Sequence, residues 1–105
     1  MSRRHRREYA RRVVVTLLHL LKWRYQPERR SQSWRRTLTE QRRQLARLLQ
    51  RYPRLQPQVP ALLSESYQMA RAEALTETRL PDDTFPPTCP WTAEQILDEH
   101  FWPWG

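Results

Sequence analysis

The chain has 105 residues, 38% of them hydrophobic and 29% charged, with five Trp, four Tyr and two Phe; this suits one domain with a modest packed core. Its single glycine, Gly105, is terminal, and Cys89 is its single cysteine, which excludes phosphate-cradling glycine loops, dinucleotide fingerprints, Gly-x-Ser-x-Gly elbows, Asn-Gly hairpins and an internal disulfide. The net charge of +8 is unevenly divided: residues 1–54 carry 17 Arg and Lys against three acids (+14), while residues 55–105 carry two Arg against eight acids (−6), a pattern expected of a polyanionic partner or of a basic half facing an acidic one.

Arginines at 3, 4, 6, 7, 11 and 12 precede an apolar run at 13–21. The run imitates a secretory leader, but no small-residue cleavage site follows it, and it is shorter than the roughly 20 residues a membrane span needs. With one thiol and no leader, a reducing cytoplasm is the expected compartment. The first helix is placed from about Arg4 to Tyr25, with residues 1–12 either a basic arm or the helix start. Val13, Val14, Val15, Leu17, Leu18, Leu20 and Leu21 ring that helix, as in a central helix covered on several sides. Pro27 stops it.

A second helix is predicted from about Ser33 to Tyr52, capped by Ser31 or Ser33 and ended by Pro53. Trp34, Leu38, Gln41, Leu45, Leu48, Leu49 and Tyr52 share one face; Arg36, Arg43, Arg47, Arg51 and Arg54 share the other. A third helix spans Pro60 to Thr78, with Val59, Leu63, Tyr67, Ala70 and Ala74 as its buried stripe. Residues 79–91, rich in proline, read as an ordered loop. A short fourth helix starts at Thr92, where Thr92 and Gln95 have capping-box spacing and Trp91 with Ile96 fits a hydrophobic staple; Pro103 ends it. The fold class is all-α: a bundle of three main helices plus a short C-terminal one, in a single domain over 1–105.

One segment concentrates polar and aromatic side chains around a bend. His19, Lys22, Trp23, Tyr25, Gln26 and Arg29 precede or form it, and Trp34, Thr37, Glu40 and Gln41 follow on helix two. A hairpin there brings the two sets face to face. Three readings compete. The first is a polar network that fixes the angle between two helices. The second is a ligand or nucleic-acid surface, in which cations meet phosphates and aromatic rings stack on bases. The third is an enzyme site with His19 as proton shuttle and Glu40 orienting it, although no nucleophile accompanies them. Neither a metal site nor a cofactor is expected: one Cys and the scattered His5, His19 and His100 form no metal-ligand spacing. Arg36, Arg43, Arg47 and Arg51 form a face of one sign that is either solvated or anion-binding. Cys89, between prolines, reads as a small buried hydrophobe. Phe101, Trp102 and Trp104 are expected to pack back onto the bundle.

The runs His19-Leu20-Leu21-Lys22-Trp23, Tyr25 to Ser31, Ser33-Trp34-Arg35 and Glu40-Gln41-Arg42 resemble the bacterial domain-of-unknown-function family 29. So do Leu80-Pro81, Phe85-Pro86, Cys89-Pro90, Thr92, Gln95, Leu97-Asp98 and Phe101-Trp102-Pro103. The resemblance implies an all-helical bacterial protein and carries over no catalytic residue. Members of that family usually begin with a further helical segment ahead of the arginine run. Its absence here predicts an apolar helix-one surface left open, to be covered by a second copy or a protein partner. The leading expectation is therefore a non-enzymatic, self-associating or protein-binding module without membrane attachment. The alternative is nucleic-acid binding through the arginine face of helix two.

Overall fold

The computed structural model of the chain describes residues 3–103. Four α-helices account for most of them: α1 (Arg3–Tyr25), α2 (Gln32–Arg51), α3 (Val59–Thr78) and α4 (Ala93–Leu97). Short 3-10 segments at Pro27–Arg29, Pro53–Gln58 and Asp82–Thr84 complete the path. There is no strand among the described residues.

Local chemistry explains the boundaries. α1 runs through the arginines to Arg3, so residues 3–12 are the start of the helix and not an arm; Met1 and Ser2 lie outside the described residues. Ser31 caps α2, its hydroxyl accepting from the Trp34 N–H at 3.2 Å. Pro53 forces the preceding Tyr52 off the helix, and the chain turns through the 3-10 segment Pro53–Gln58. Pro60 sits in the first turn of α3, where its missing N–H costs nothing. No glycine is at hand to end α3, so Arg79 takes the left-handed conformation itself (φ 58°, ψ 25°) and its N–H bonds the Leu75 carbonyl at 3.0 Å. The capping box on α4 forms as its spacing predicts: the Gln95 N–H donates to the Thr92 hydroxyl, and the Thr92 N–H donates to the Gln95 side chain.

Cross-helix contacts give the topology. Along α1 and α2, Lys22 meets Trp34, Arg12 meets Gln41, and His5 stacks on Tyr52 with ring centroids 3.6 Å apart. Numbers fall on one helix as they rise on the other, so the pair is antiparallel. Along α1 and α3, Arg6 bonds Gln58, the Ser66 hydroxyl bonds the Ala10 carbonyl, and Lys22 pairs with Glu77; these two run parallel. α1 packs along both α2 and α3, and α4 touches α2 and α3.

One core results. From α1 it takes Tyr9, Val13, Val14, Leu17, Leu18, Leu20 and Leu21; from α2, Leu38, Leu45 and Leu48; from the following segment and α3, Leu55, Val59, Leu62, Leu63, Tyr67, Ala70 and Ala74. Phe85 and Ile96 close it from the C-terminal side. The apolar ring of α1 is thus covered by the chain's own helices, with only Val15 left half-buried. This corrects the expectation of an open helix-one surface. Met69 is the only exposed large hydrophobic side chain among the described residues.

Candidate functional site

Three arginines hold the C-terminal segment in place. Arg42, on the inner face of α2, is 1% exposed. It donates from Nε to the Ile96 carbonyl (2.8 Å), from Nη1 to Phe101 (2.8 Å) and from Nη2 to Gln95 (3.2 Å). Burial lowers its pKa while Asp98 and Glu99 oppose that shift. A guanidinium fork suits this task because its donors diverge in one plane, toward carbonyls that a short helix end leaves unpaired. Arg30 donates from Nε to the Trp23 carbonyl at 2.8 Å and lies over the Trp23 ring. Trp23 packs on Trp102 at 4.8 Å between centroids, and Arg35 lies over both rings. On α3, Arg71 donates to the carbonyls of Asp82, Phe85 and Pro86. The Tyr67 hydroxyl joins it on Pro86 at 2.6 Å, and Phe85 meets Tyr25 edge-to-face.

Sequence reasoning missed Arg42 and Arg71 as anchors. The signal for Arg42 was its position four residues after Leu38 and three before Leu45, on the buried stripe. Phe101 and Trp102 are half-buried, as expected; Trp104 lies outside the described residues. Cys89 is half-buried, its thiol pushed up by burial while a contact of Sγ with the Trp91 carbonyl opposes that shift.

The polar junction divides. Lys22, Gln26, Arg29 and Trp34 come together, joined by Glu77, Thr78 and Arg79 from the end of α3, around a cavity of about 330 Å³. The Lys22 ammonium lies 4.8 Å from the Trp34 ring centre and 3.5 Å from a Glu77 carboxylate oxygen. His19 belongs to this side. Its Nδ1 donates to the Val15 carbonyl at 2.8 Å, and burial lowers its pKa, with Val15 and Glu77 opposing and Lys22 assisting. Glu40 lies elsewhere: it is exposed, accepts from Gln44 at 2.8 Å, and approaches Arg43 at 3.9 Å. The carboxylate on this side of the junction is Glu77, which pairs with Lys22 and which the sequence pattern did not nominate. Gln41 accepts from Arg12, Thr37 is half-buried on α2, and Trp23 and Tyr25 serve the C-terminal packing described above.

The arginine face also divides. Arg36, Arg43, Arg47 and Arg51 are all exposed. Arg43 lies 3.9 Å from both Glu40 and Glu99, and with Arg47 it lines a cleft of about 440 Å³ whose other wall holds Asp98 and Glu99. Here the basic half does meet the acidic one. Arg36 sits some 22 Å up the helix from Arg51, at 1.5 Å per residue. Arg47 and Arg51 instead lie at the end of α2 that the antiparallel packing sets beside the start of α1. Exposed Arg3, Arg6, Arg7 and Arg11 stand there, and Arg54 follows directly. The acids at that end are Glu8, paired with Arg12 at 3.2 Å, and Glu65, in a cleft with Arg3, Arg6 and Arg7. The bundle has a basic pole. Its opposite end carries Glu28, Glu77, Asp82 and Asp83 among its exposed side chains.

Among the described residues, no group of His, Cys, Asp and Glu is placed to hold a metal ion, and no helix is long and apolar enough to cross a membrane. The chain matches the family described as Domain of unknown function DUF29 over residues 1–102, and it belongs to that family. No curated protein and no solved structure matches it.

Proposed function

We propose that this chain is a non-enzymatic nucleic-acid-binding module that grips phosphates with its basic pole and reads no base sequence. The observation that carries the reading is the convergence of two arginine-rich helix ends. Arg3, Arg6, Arg7 and Arg11 from the start of α1 stand at the same end as Arg47, Arg51 and Arg54 from the end of α2, with Glu8 and Glu65 nearby and Asp98 and Glu99 across the cleft that Arg47 lines. Guanidinium groups are suited to bidentate phosphate contact. The aromatic rings described at the pole, Tyr52 and His5, are half-buried and stacked on each other, which favours phosphate contact over base stacking.

The apolar ring of α1 is covered within the chain, which supports the arginine pole over helix one as the binding surface. An acidic protein is the second reading; it would use the same arginines.

The test is fluorescence anisotropy with short labelled RNA and DNA. Five or six phosphate contacts predict an affinity loss of about 10³-fold between roughly 50 and 200 mM salt. Replacing Arg47 and Arg51 by Glu, or Arg7 and Arg11 by Glu, is expected to weaken binding at least tenfold, whereas Arg36→Glu leaves it nearly unchanged. Binding that survives both double substitutions would put the interface elsewhere. No binding at low salt would favour the acidic protein partner.

A further inference from the structure

We infer that the cleft at the other end of the bundle, between the ends of α1 and α3 and the start of α2, binds the phosphate group of a small phosphorylated ligand. Its volume of about 330 Å³ falls in the range of small-molecule sites. Lys22, Arg29 and Arg79 line it against one carboxylate, Glu77, an excess of two positive charges. A phosphate monoester carries about −1.5 to −2 at neutral pH.

Lys22 is the centre of the site. Its side chain is 12% exposed, and its ammonium makes one long 3.5 Å polar contact, to Glu77, while lying 4.8 Å from the Trp34 ring centre. An ammonium has three N–H donors, so capacity remains for an incoming oxygen. The Trp34 ring supplies an apolar wall for the rest of the ligand.

Arg79 is a separate observation pointing to the same place. It is the only non-glycine residue with positive φ among the described residues. Glycine would hold that conformation without steric cost, and any side chain there works against the backbone preference. The left-handed cap that ends α3 sets this cationic side chain on the wall of a cleft with excess positive charge, where an anion would meet it. The site shares no residue with the basic pole.

The experiment is thermal unfolding of the full chain in inorganic phosphate against chloride at matched ionic strength. It compares the natural sequence with Arg79→Gly, Arg29→Gln and the double variant Arg47→Glu, Arg51→Glu. At phosphate about tenfold above its Kd, the natural chain and the double variant gain roughly 5 °C in Tm. Arg79→Gly and Arg29→Gln gain only the small non-specific increment common to all variants. In chloride, Arg79→Gly melts at or above the natural chain, since the left-handed residue is relieved. Three results would each overturn the site: an equal phosphate increment in Arg79→Gly, an increment lost from the double variant, or a lower melting point for Arg79→Gly in chloride. An absent increment in the natural chain would do the same.

Discussion

At the scale of single residues, this protein uses arginine where other folds use glycine turns or regular helix caps. Arg42 is the clearest case: a cation 1% exposed with no carboxylate in contact among the described residues, held by three backbone carbonyls. Removing the fork leaves those carbonyls, in a buried to half-buried site, without their donors. Arg42→Met is therefore expected to cost about 3 kcal/mol, measured by denaturant unfolding, with the C-terminal segment becoming the first site of proteolysis. Arg42→Lys is expected to recover little, because one ammonium cannot span three diverging acceptors. A second residue-scale effect concerns Tyr9 and Tyr67, both 0% exposed. Burial pushes both phenols up from 10.0 to about 12; at Tyr67 the nearby Cys89 adds to the shift and Arg71 opposes it. The unfolded phenols ionise first as pH rises, so the unfolded state holds fewer protons than the folded one. Stability from this source is complete below pH 10 and is lost between about 10 and 12, by roughly 2–3 kcal/mol per ring. A pH series of Tm should show that fall, and Tyr67→Phe should reduce it by about half, leaving the part due to Tyr9.

At the scale of elements, each helix boundary has a local cause, and α4 tests this best. Five residues do not sustain a helix in water; α4 persists through its cap and through what Arg42 and Ile96 bury. Thr92→Ala removes one half of the capping box and is expected to cost about 1 kcal/mol, with the loss seen as faster amide exchange in residues 93–97 before any change in the main bundle. The same boundaries show what was legible in the sequence. Proline positions and apolar spacing placed the three long helices to within one residue, because those signals act within a few residues of the boundary they set. Thr92 and Gln95 were legible as a cap for the same reason. The 3-10 segment at Pro53–Gln58 was not: its prolines mark an interruption but do not say what geometry bridges it. Nor was the Lys22–Glu77 pair, since 55 residues separate them and only the parallel packing of α3 on α1 brings them together. Arg42 lay on the buried stripe, but nothing near it in the sequence names what a buried guanidinium would bond. Its carbonyl partners come from a segment more than 50 residues away.

At the scale of the whole molecule, the question is whether the chain closes on itself. A folded monomer of 12.9 kDa is expected to expose about 6,300 Å², and this chain exposes 6765 Å². Its Cα radius of gyration, 13.4 Å, is close to the roughly 12.9 Å of a compact domain of this length. Nothing in these figures requires a second copy to complete the core, although the sequence pattern of α1 argued for one. A continuous apolar ring is ambiguous by nature, because it says that a helix must be covered and not by what; here α2, α3 and the C-terminal segment do it. Val14 separates the alternatives. At a self-association surface, Val14→Glu would yield a folded monomer. At 7% exposure inside the core, it places a carboxylate among buried apolar side chains, at a cost of several kcal/mol, comparable to the whole stability of a small domain. The expected outcome is thus a natural chain that scatters light as a monomer and a Val14→Glu variant that lacks the helical circular dichroism of the native fold. A folded, monomeric Val14→Glu protein derived from a dimeric parent would show instead that α1 is shared between two chains. That result would move the functional search from the arginine pole to the partner.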